Sequence, residues 1–261
     1  MPRKKAAILA QVRMNRIMDI VSSEGNCTVM ELSRLFDVSP ATVRNDLHKL
    51  ESEGCLKRTF GGAISSATAN FELTAREKIV RNVEEKCSIA QKASEMIHDG
   101  ETIALDTGTT MLELARKIVN IHDLTIVTTD LQIAAFLEEY SNAHILLIGG
   151  SIRRQHHCTF GQYSIDSIKK LHVDKAFLAA NGVTLERGAS TPNIELAAIK
   201  WQMMDIADKA YLLFDTSKIG KNSLAHIAML EEFDLIITDS RVSQSFLTQA
   251  IQTGINVLVA K

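Results

Sequence analysis

Seven short apolar runs recur between residues 102 and 260, and they constrain the fold more than any other feature of the sequence. The first is Thr-Ile-Ala-Leu-Asp at 102–106, and most runs are separated by amphipathic stretches of helical length. The other runs span 124–129, 144–150, 175–180, 209–215, 235–239 and 255–260. Apolar strands that alternate with helices are typical of a parallel sheet covered on both faces. The pattern therefore predicts an α/β domain built on a largely parallel sheet.

The composition is ordinary for a soluble globular protein. Of 261 residues, 46% are hydrophobic and 23% are charged, which argues against a disordered or fibrous chain. No stretch approaches the roughly 18 consecutive apolar residues of a membrane span, and residues 1–16 lack the apolar core of a secretory signal. The four cysteines are far apart, without a CxxC pair that would suggest a zinc knuckle or a redox dithiol. We therefore expect a cytoplasmic protein with reduced thiols and no cofactor.

The charge is distributed unevenly along the chain. Residues 1–62 contain ten Lys or Arg and seven Asp or Glu, a net charge of +3, which leaves −5 for the rest of a chain whose total is −2. A small basic part joined to an acidic body favours contact with nucleic acid at one end only. The asymmetry is modest, so it supports DNA binding only together with a motif.

Three short helices are predicted in the first 52 residues, and the first ends near Gly25. The second begins after Thr28, a good N-cap, and Glu31 three residues later completes a capping-box pattern. The third begins with Ser39 as N-cap and Pro40 at the first helical position, where a helix needs no N–H donor. Its inward-facing apolar residues are Val43, Leu47 and Leu50. These signals predict a compact three-helix unit whose third helix starts at Ser39.

Only residues 37–38 separate the second and third helices, so a tight turn joins them. In helix-turn-helix proteins the second of two such helices enters the major groove of DNA. The face opposite its apolar stripe carries side chains suited to bases and phosphates, and residues 55–64 have the pattern of a β-hairpin wing. The predicted DNA contacts are Ser39, Thr42, Arg44, Asn45, His48, Lys49, Lys57 and Arg58. The alternative is a three-helix interaction module with an incidental basic face.

Residues 38–64 resemble the signature of DeoR-family bacterial repressors, Ser-x-x-Thr-[Ile/Val]-Arg-Arg-Asp-Leu followed by Arg-x-[His/Tyr/Phe]-Gly-Gly-Ala. The matching residues are Ser39, Thr42, Val43, Arg44, Asp46, Leu47, Arg58, Phe60, Gly61, Gly62 and Ala63. This resemblance implies a winged helix-turn-helix regulator. Asn45 departs from the pattern, because it stands where the family has its second arginine. An amide can pair with adenine but lacks arginine's charge and guanine contact, so we expect the operator sequence to differ from those of better-known relatives.

Polar side chains follow five predicted strands at their carboxyl ends, the edge at which parallel α/β sheets bind ligands. The loop 106–110 joins a strand to a helix start, where N–H groups and hydroxyls can hold an oxyanion, although such turns also use Gly and Thr for local reasons. Lys218 adds a point charge suited to phosphate. The predicted effector contacts are Asp106, Gly108, Thr109, Thr110, Thr128, Asp130, Gly150, Asn181, Gly182, Glu195 and Lys218. We expect them to form one pocket for a phosphorylated, polyhydroxylated ligand, and we assign Trp201 to core packing.

The sensor domain of the same family is similar to this second part of the chain. Its motifs are an Asp-x-Gly-[Ser/Thr]-Thr loop, a Thr-[Asn/Thr]-[Ser/Asp] strand end, a Gly-Gly pair, an Asp-x-[Ala/Leu]-Phe-x-x-x-x-Gly strand and an Asp-x-[Ser/Thr]-Lys-[Phe/Ile]-Gly segment. They are matched at 106–110, 128–130, 149–150, 174–182 and 215–220, so the similarity covers roughly residues 5–260. It implies a fold related to ribose-5-phosphate isomerase and CoA transferases. It also implies a sugar phosphate or related metabolite that releases the repressor from DNA.

Three alternatives remain open from the sequence. An isomerase-like enzyme would use Asp106, Glu195 or Lys218 to move protons. A metal-responsive regulator would use His156, His157 and Cys158, the one dense cluster of soft ligands, although we favour a solvated loop there and predict no metal. Activation rather than repression depends on where the operator lies, which the protein sequence does not encode.

The sequence divides into three parts. Residues 1–64 are assigned to DNA binding, 65–83 to a small, polar linker, and 84–261 to effector binding and oligomerisation. One N-terminal domain contacts too few phosphates and bases for specific binding, so we expect a homodimer or tetramer on double-stranded operator DNA.

Overall fold

The computed structural model describes residues 2–52, 55–65 and 72–261. The chain divides into two compact units, an N-terminal unit of residues 1–71 and a C-terminal unit of residues 72–261. No helix within the described residues is both long enough and apolar enough to cross a membrane.

The N-terminal unit contains three helices and a small antiparallel sheet. Its elements are α1 (Pro2–Glu24), β1 (Asn26–Thr28), α2 (Val29–Phe36), α3 (Pro40–Ser52), β2 (Leu56–Thr59) and β3 (Gly62–Ser65). The strands are ordered β1-β3-β2. Ile17, Leu32, Val43 and Leu47 are fully buried and connect the three helices through one core. The predicted winged helix-turn-helix is confirmed. Strand β1 was not predicted, because three residues are too few to show a strand pattern in the sequence.

Local signals set the helix boundaries where the sequence predicted them. The backbone N–H of Thr28 donates to Glu31 Oε2 (2.8 Å), and the N–H of Glu31 donates to Thr28 Oγ1 (3.2 Å), which is the capping box. Helix α2 ends at Asp37 in the left-handed conformation (φ 50°). Ser39 Oγ then accepts the N–H of Thr42 (3.1 Å), so α3 begins with the predicted cap. These bonds fix the two-helix turn on which the DNA-binding interpretation depends.

The C-terminal unit is an α/β domain around a seven-stranded parallel sheet. The sheet strands are β4 (Thr102–Leu105), β5 (Thr125–Thr128), β6 (His144–Leu147), β9 (Val173–Ala179), β12 (Ala207–Leu213), β14 (Leu235–Asp239) and β15 (Val257–Ala260). They are ordered β15-β14-β12-β9-β4-β5-β6, and every neighbouring pair is parallel. All seven predicted strands therefore lie in one sheet, as the apolar runs indicated.

Helices and two smaller sheets surround the parallel sheet. The helices are α4 (Ala75–Ile79), α5 (Val83–Ser94), α6 (Thr109–Lys117), α7 (Leu131–Tyr140), α8 (Gln162–Ile168), α9 (Ile194–Asp205) and α10 (Gln244–Gln252), with 3-10 turns at Thr216–Lys218 and Leu230–Glu232. The hairpin strands are β7 (Ser151–Arg153) and β8 (Cys158–Phe160), and the remaining sheet contains β10 (Gly182–Thr184), β11 (Gly188–Thr191) and β13 (Ala225–Ala228). Two apolar clusters fill the unit, one around Ile89 and Leu114, the other around Ile199 and Phe214. This two-sided burial explains the apolar character of the inner strands, whereas the edge strand β6 leaves Leu146 and Leu147 exposed.

Two sequence expectations differ from the structure. The C-terminal unit already begins at Glu72, and α4 lies inside the segment 65–83 that we assigned to the linker. Thr74 and Glu77 form a capping box at the start of α4. This local signal was overlooked because the preceding residues are small and polar, as in a linker. The assignment of Trp201 to core packing is wrong, because the residue is 47% exposed beside Ile194 on the outer face of α9.

Candidate DNA-binding surface and effector site

The outer face of α3 carries the side chains predicted to contact DNA. Arg44, Asn45, His48 and Lys49 are exposed, whereas Val43 and Leu47 on the opposite face are buried. Ser39 and Thr42 lie at the start of the helix, and their hydroxyl oxygens are 2.9 Å apart. Four polar or basic side chains on one exposed helix face are suited to base edges and phosphates.

The wing lies directly beside α3 within the N-terminal unit. Arg58 on β2 approaches His48 Nδ1 (3.4 Å), and its backbone N–H donates to Glu51 Oε1 (2.8 Å). Phe60 is fully exposed at the tip of the hairpin. The side chain of Lys57 lies outside the described residues. Arg58 of the wing thus lies beside the exposed face of α3, and the individual base and phosphate contacts stay predictions.

An ion pair that the sequence reading missed fixes α3 against α1. Arg13 donates to Asp46 through Nε (2.6 Å) and Nη2 (3.0 Å), and Asp46 is buried. A bidentate arginine–carboxylate pair holds a defined orientation. The available signal was an acidic residue, Asp46, next to Leu47 on the apolar side of α3. The Asp of the family signature therefore positions the helix and does not face outward with Arg44 and Asn45.

Replacement of Asn45 by arginine tests whether this position contacts a base. An arginine reads guanine bidentately, whereas an amide reads adenine, so we expect Asn45→Arg to change the preferred base at one position of each half-site from adenine to guanine. Selection of binding sites from random duplex DNA by the wild type and the variant measures this preference. Identical selected sequences would show that residue 45 makes no base contact.

The carboxyl ends of the sheet strands form the candidate effector site. Strand order reverses between β4 and β9: strands added after β4 extend the sheet on one side, and strands from β9 onward extend it on the other. In open parallel sheets such a reversal opens a crevice at the carboxyl ends, and ligands bind there. Asp106 follows β4 and Asn181 follows β9, so two of the predicted residues border this crevice. We call it the strand-end crevice, defined by Asp106 and Asn181.

Asp106 is held in a buried ion pair. Its Oδ2 accepts the N–H of Ala179 (2.9 Å) and a hydrogen bond from Lys200 of α9, whose Nζ also donates to the carbonyl oxygen of Ala179 (3.0 Å). Asp106 is 1% exposed and Lys200 4% exposed. Sequence reasoning missed Lys200, although a lysine among the apolar inward positions of α9 was a usable signal. The pair connects β4, β9 and α9 directly below the crevice.

The loop after β4 has the geometry of an anion-binding turn. Gly108 has φ 117°, a conformation that L side chains rarely adopt, and its N–H donates to Asp130 Oδ2 (3.1 Å). Thr109 and Thr110 occupy the first turn of α6, where backbone N–H groups have no partner within the helix and the helix dipole favours an anion. Helix α6 thus presents its positive end at the edge of the sheet.

Several predicted contacts shape the loops. Asp130 caps α7 by accepting the N–H groups of Gln132 (2.8 Å) and Ile133 (3.1 Å), and burial raises its pKa. Thr128 Oγ1 accepts the N–H of Asp130 (3.1 Å). A Cβ at Gly150 would overlap Ser164, and one at Gly182 would overlap the carbonyl oxygen of Lys221. These residues already have structural partners, so their predicted contact with the effector stays a prediction.

Lys218 lies in the 3-10 turn after β12. Asp215 caps this turn and also accepts a hydrogen bond from Asn82 (2.8 Å). The Lys218 side chain is half-buried, and its ammonium group has no hydrogen bond or ion pair with any other described residue. Burial lowers its pKa, and the charges of Lys221 and Arg81 lower it further, whereas the charges of Asp215 and Glu72 raise it. A desolvated lysine among other cations favours the arrival of an anion.

Glu195 is not brought together with the other predicted residues. It is exposed in the first turn of α9 and makes no contact with Asp106 or Lys218 among the described hydrogen bonds and ion pairs. Five positions along a helix separate it from Lys200, which corresponds to about 140° around the helix axis. Lys200 lies on the buried side of α9, so Glu195 lies on the exposed side of the same helix.

Glu72, which sequence reasoning placed in the linker, is bound at the strand-end crevice. It accepts hydrogen bonds from Lys78, Arg153 Nη1 (2.6 Å) and Asn181 Nδ2 (3.2 Å). Burial by itself would raise the pKa of Glu72, but the charges of Lys78 and Arg153 outweigh it and lower the pKa to about 2. We call Glu72, Lys78, Arg153 and Asn181 the Glu72 cluster. The charged carboxylate of Glu72 thus accepts hydrogen bonds from three side chains at the edge of the predicted effector site.

The His156-His157-Cys158 sequence does not form a solvated cluster. Cys158 is fully buried in β8, and burial raises the pKa of its thiol to about 11. Burial lowers the pKa of His156 to about 4, and its ring lies 3.9 Å from Glu72. In the part of the chain that the structure describes, no group of three His, Cys, Asp or Glu side chains is arranged to hold a metal ion. The expectation of a solvated loop is wrong for Cys158, because β8 packs it into the core.

A winged helix-turn-helix followed by an α/β unit is the architecture of a DNA-binding regulator. Residues 13–69 match the DeoR-like helix-turn-helix domain, and residues 81–240 match the DeoR C terminal sensor domain. The HTH-type transcriptional regulator GolR of Listeria innocua is 32% identical over 95% of this chain and 98% of that protein. The lactose phosphotransferase system repressor of Staphylococcus epidermidis is 34% identical over 87% of this chain and 91% of that protein.

The chain belongs to the DeoR family of transcriptional repressors and regulators, as its motifs indicated. It is a DNA-binding regulator and not an enzyme, since the similar full-length proteins are regulators, and the isomerase alternative is set aside for that reason. A ribose 5-phosphate isomerase from Methanocaldococcus jannaschii shows a remote likeness, with 18% identity over 53% of this chain and 55% of that chain and a TM-score of 0.39.

Proposed function

We propose that this protein represses an operon for the use of a sugar or polyol and that a phosphorylated sugar metabolite releases it from its operator. The observation that carries the proposal is the half-buried Lys218 in a strand-end loop, whose ammonium group makes no hydrogen bond or ion pair with another described residue. Lys78, Lys200 and Lys218 lie close enough together that the charges of Lys200 and Lys218 both act on Lys78. Of these three, only Lys218 makes no ion pair within the described residues, and a lysine among neighbouring cations suits a phosphate dianion.

Two features favour a sugar phosphate over a purely inorganic anion. Carboxylate and amide groups border the same crevice, and such groups bind sugar hydroxyls through paired hydrogen bonds. One relative is named as the repressor of a lactose phosphotransferase system. The ligand acts on DNA binding only if it binds the DNA-incompetent arrangement more tightly than the competent one. We propose a homodimer or tetramer as the binding species, because one N-terminal unit offers few contacts.

Removal of Lys218 is expected to make the repressor insensitive to its effector. Lys218→Ala should leave operator affinity within about twofold and weaken effector binding by at least about tenfold, since a hydrogen bond to a charged group contributes about 1.5–3 kcal/mol. A thermal-shift screen of sugar phosphates identifies the ligand, and titration of a preformed operator complex measures release. The exposed Lys170→Ala is the matched control. Stabilisation by the unphosphorylated sugar alone would contradict a phosphate site.

A further inference from the structure

We propose that the Glu72 carboxylate occupies the phosphate position of the effector site when no effector is bound, and that the effector displaces it. This inference rests on the proposed function and names how that same site is regulated. Displacement would free the start of the C-terminal unit, the point at which the chain passes from one unit to the other.

The donors around Glu72 are those that a phosphate needs. A lysine, an arginine and an amide donate to one carboxylate beside the end of β9, within the strand-end crevice. Guanidinium and ammonium groups bind phosphate and carboxylate oxygens in the same way, but a phosphate offers three oxygens and a charge near −2. A phosphate therefore competes favourably with a single carboxylate for this set of donors.

Glu72 also differs from the other carboxylates of the site. Asp106 accepts the backbone N–H of Ala179, and Asp215 accepts the backbone N–H of Ser217 (3.0 Å). Every hydrogen bond that the described residues make to the Glu72 carboxylate comes from a side chain. A carboxylate that is bound by backbone is a fixed part of the fold, whereas one bound by side chains can leave without breaking it.

The Glu72 side chain is also what holds its own segment. Neither Glu72 nor Leu73 makes a backbone–backbone hydrogen bond with another described residue. Apart from the bonds that cap α4, the first one along the chain joins the N–H of Ala75 to Gln155 O (3.0 Å). Loss of the Glu72 contacts would therefore release residues 72–74 and weaken the attachment of α4. The effector's phosphate thus acts on the segment with which the C-terminal unit begins.

Inorganic phosphate and the full-length chain test this mechanism. Glu72→Gln keeps a side chain of the same size but removes the competing charge. We therefore expect phosphate to bind the variant about tenfold more tightly than the wild type, because the state in which Glu72 blocks the site is no longer populated. The matched control is Glu101→Gln, which removes a carboxylate paired with Lys175 at the opposite edge of the sheet. Its phosphate affinity should equal that of the wild type by isothermal titration calorimetry.

Hydrogen exchange of the wild type gives a second readout that needs no variant. Phosphate should slow amide exchange at residues 108–112 and accelerate it at residues 72–79, whereas a ligand that only adds contacts would slow both. In Glu72→Gln, exchange at 72–79 should be fast before phosphate is added. Unchanged or slowed exchange at 72–79 in the wild type overturns the inference, even if Glu72→Gln binds phosphate more tightly through its charge alone.

The outcomes separate this inference from the proposed function. If the wild type binds phosphate, Lys218→Ala weakens that binding and Glu72→Gln leaves both affinity and exchange unchanged, the effector site stands and displacement of Glu72 is wrong. If neither the wild type nor Glu72→Gln binds phosphate or any sugar phosphate, both proposals are wrong.

Discussion

Arg44→Ala is expected to weaken specific operator binding strongly and to leave effector binding unchanged. Arg44 is exposed on the outer face of α3, beside Asn45 and His48, where a helix-turn-helix contacts DNA. An arginine that contacts a guanine contributes about 1–3 kcal/mol of discrimination, so each N-terminal unit should lose about fivefold to 150-fold in affinity. Fluorescence anisotropy with a duplex selected by the wild type measures the loss.

The salt dependence of binding distinguishes the two contacts that Arg44 can make. A uniform loss over all sequences, with a shallower dependence on salt, would indicate a phosphate contact; relaxed preference at one base would indicate direct readout. Arg187→Ala removes an exposed arginine from the C-terminal unit and is the matched control. Full operator affinity in Arg44→Ala would show that α3 is not the recognition helix.

Lys200→Met is expected to destabilise the C-terminal unit strongly. The substitution preserves apolar volume but leaves the carboxylate of Asp106 buried without its cation. Removal of one partner of a buried ion pair destabilises a protein by about 3–5 kcal/mol. The free energy of unfolding should fall by that amount in urea titrations. Trp201, the single tryptophan, lies in the C-terminal unit and reports the unfolding of that unit by fluorescence.

Two comparisons show whether the buried charge causes this loss. Lys92→Met breaks the exposed pair of Lys92 and Glu95, and it should reduce stability by only about 0.3–0.5 kcal/mol. Addition of Asp106→Asn to Lys200→Met should recover part of the lost stability, because no buried charge then remains. An additive, further loss in the double variant would show that Lys200 stabilises the fold through packing and not through its charge.

The parts of the molecule that depend on neighbouring residues were predictable. The capping box of Thr28 and Glu31, the cap at Ser39 and the seven apolar strands all follow from signals within a few positions of one another. Capping hydrogen bonds and hydrophobic periodicity involve residues a few positions apart, so the local sequence is enough to predict them. The same holds for the polar strand ends, whose common edge follows from the parallel arrangement alone.

Long-range pairing was not predictable in this way. Glu72 and Arg153 are 81 positions apart, and Lys200 and Asp106 are 94 positions apart, yet each pair shares a hydrogen bond. Sequence reasoning chose Glu195 on α9 because a carboxylate suits a sugar, but the helix turns Lys200 inward and leaves Glu195 exposed. Which side of a helix faces the sheet depends on how all the layers pack together.

By itself the sequence determined the class of this protein: two domains, a DNA-contacting helix that starts at Ser39, and a parallel sheet with a polar carboxyl edge. Its local signals are strong because each depends on a few adjacent residues. Only the tertiary structure decided which charges at that edge are already paired and which, like that of Lys218, make no hydrogen bond or ion pair within the described residues. The physical reason is that burial and pairing are properties of the packed chain, in which a side chain's partner is set by the course of the backbone around it.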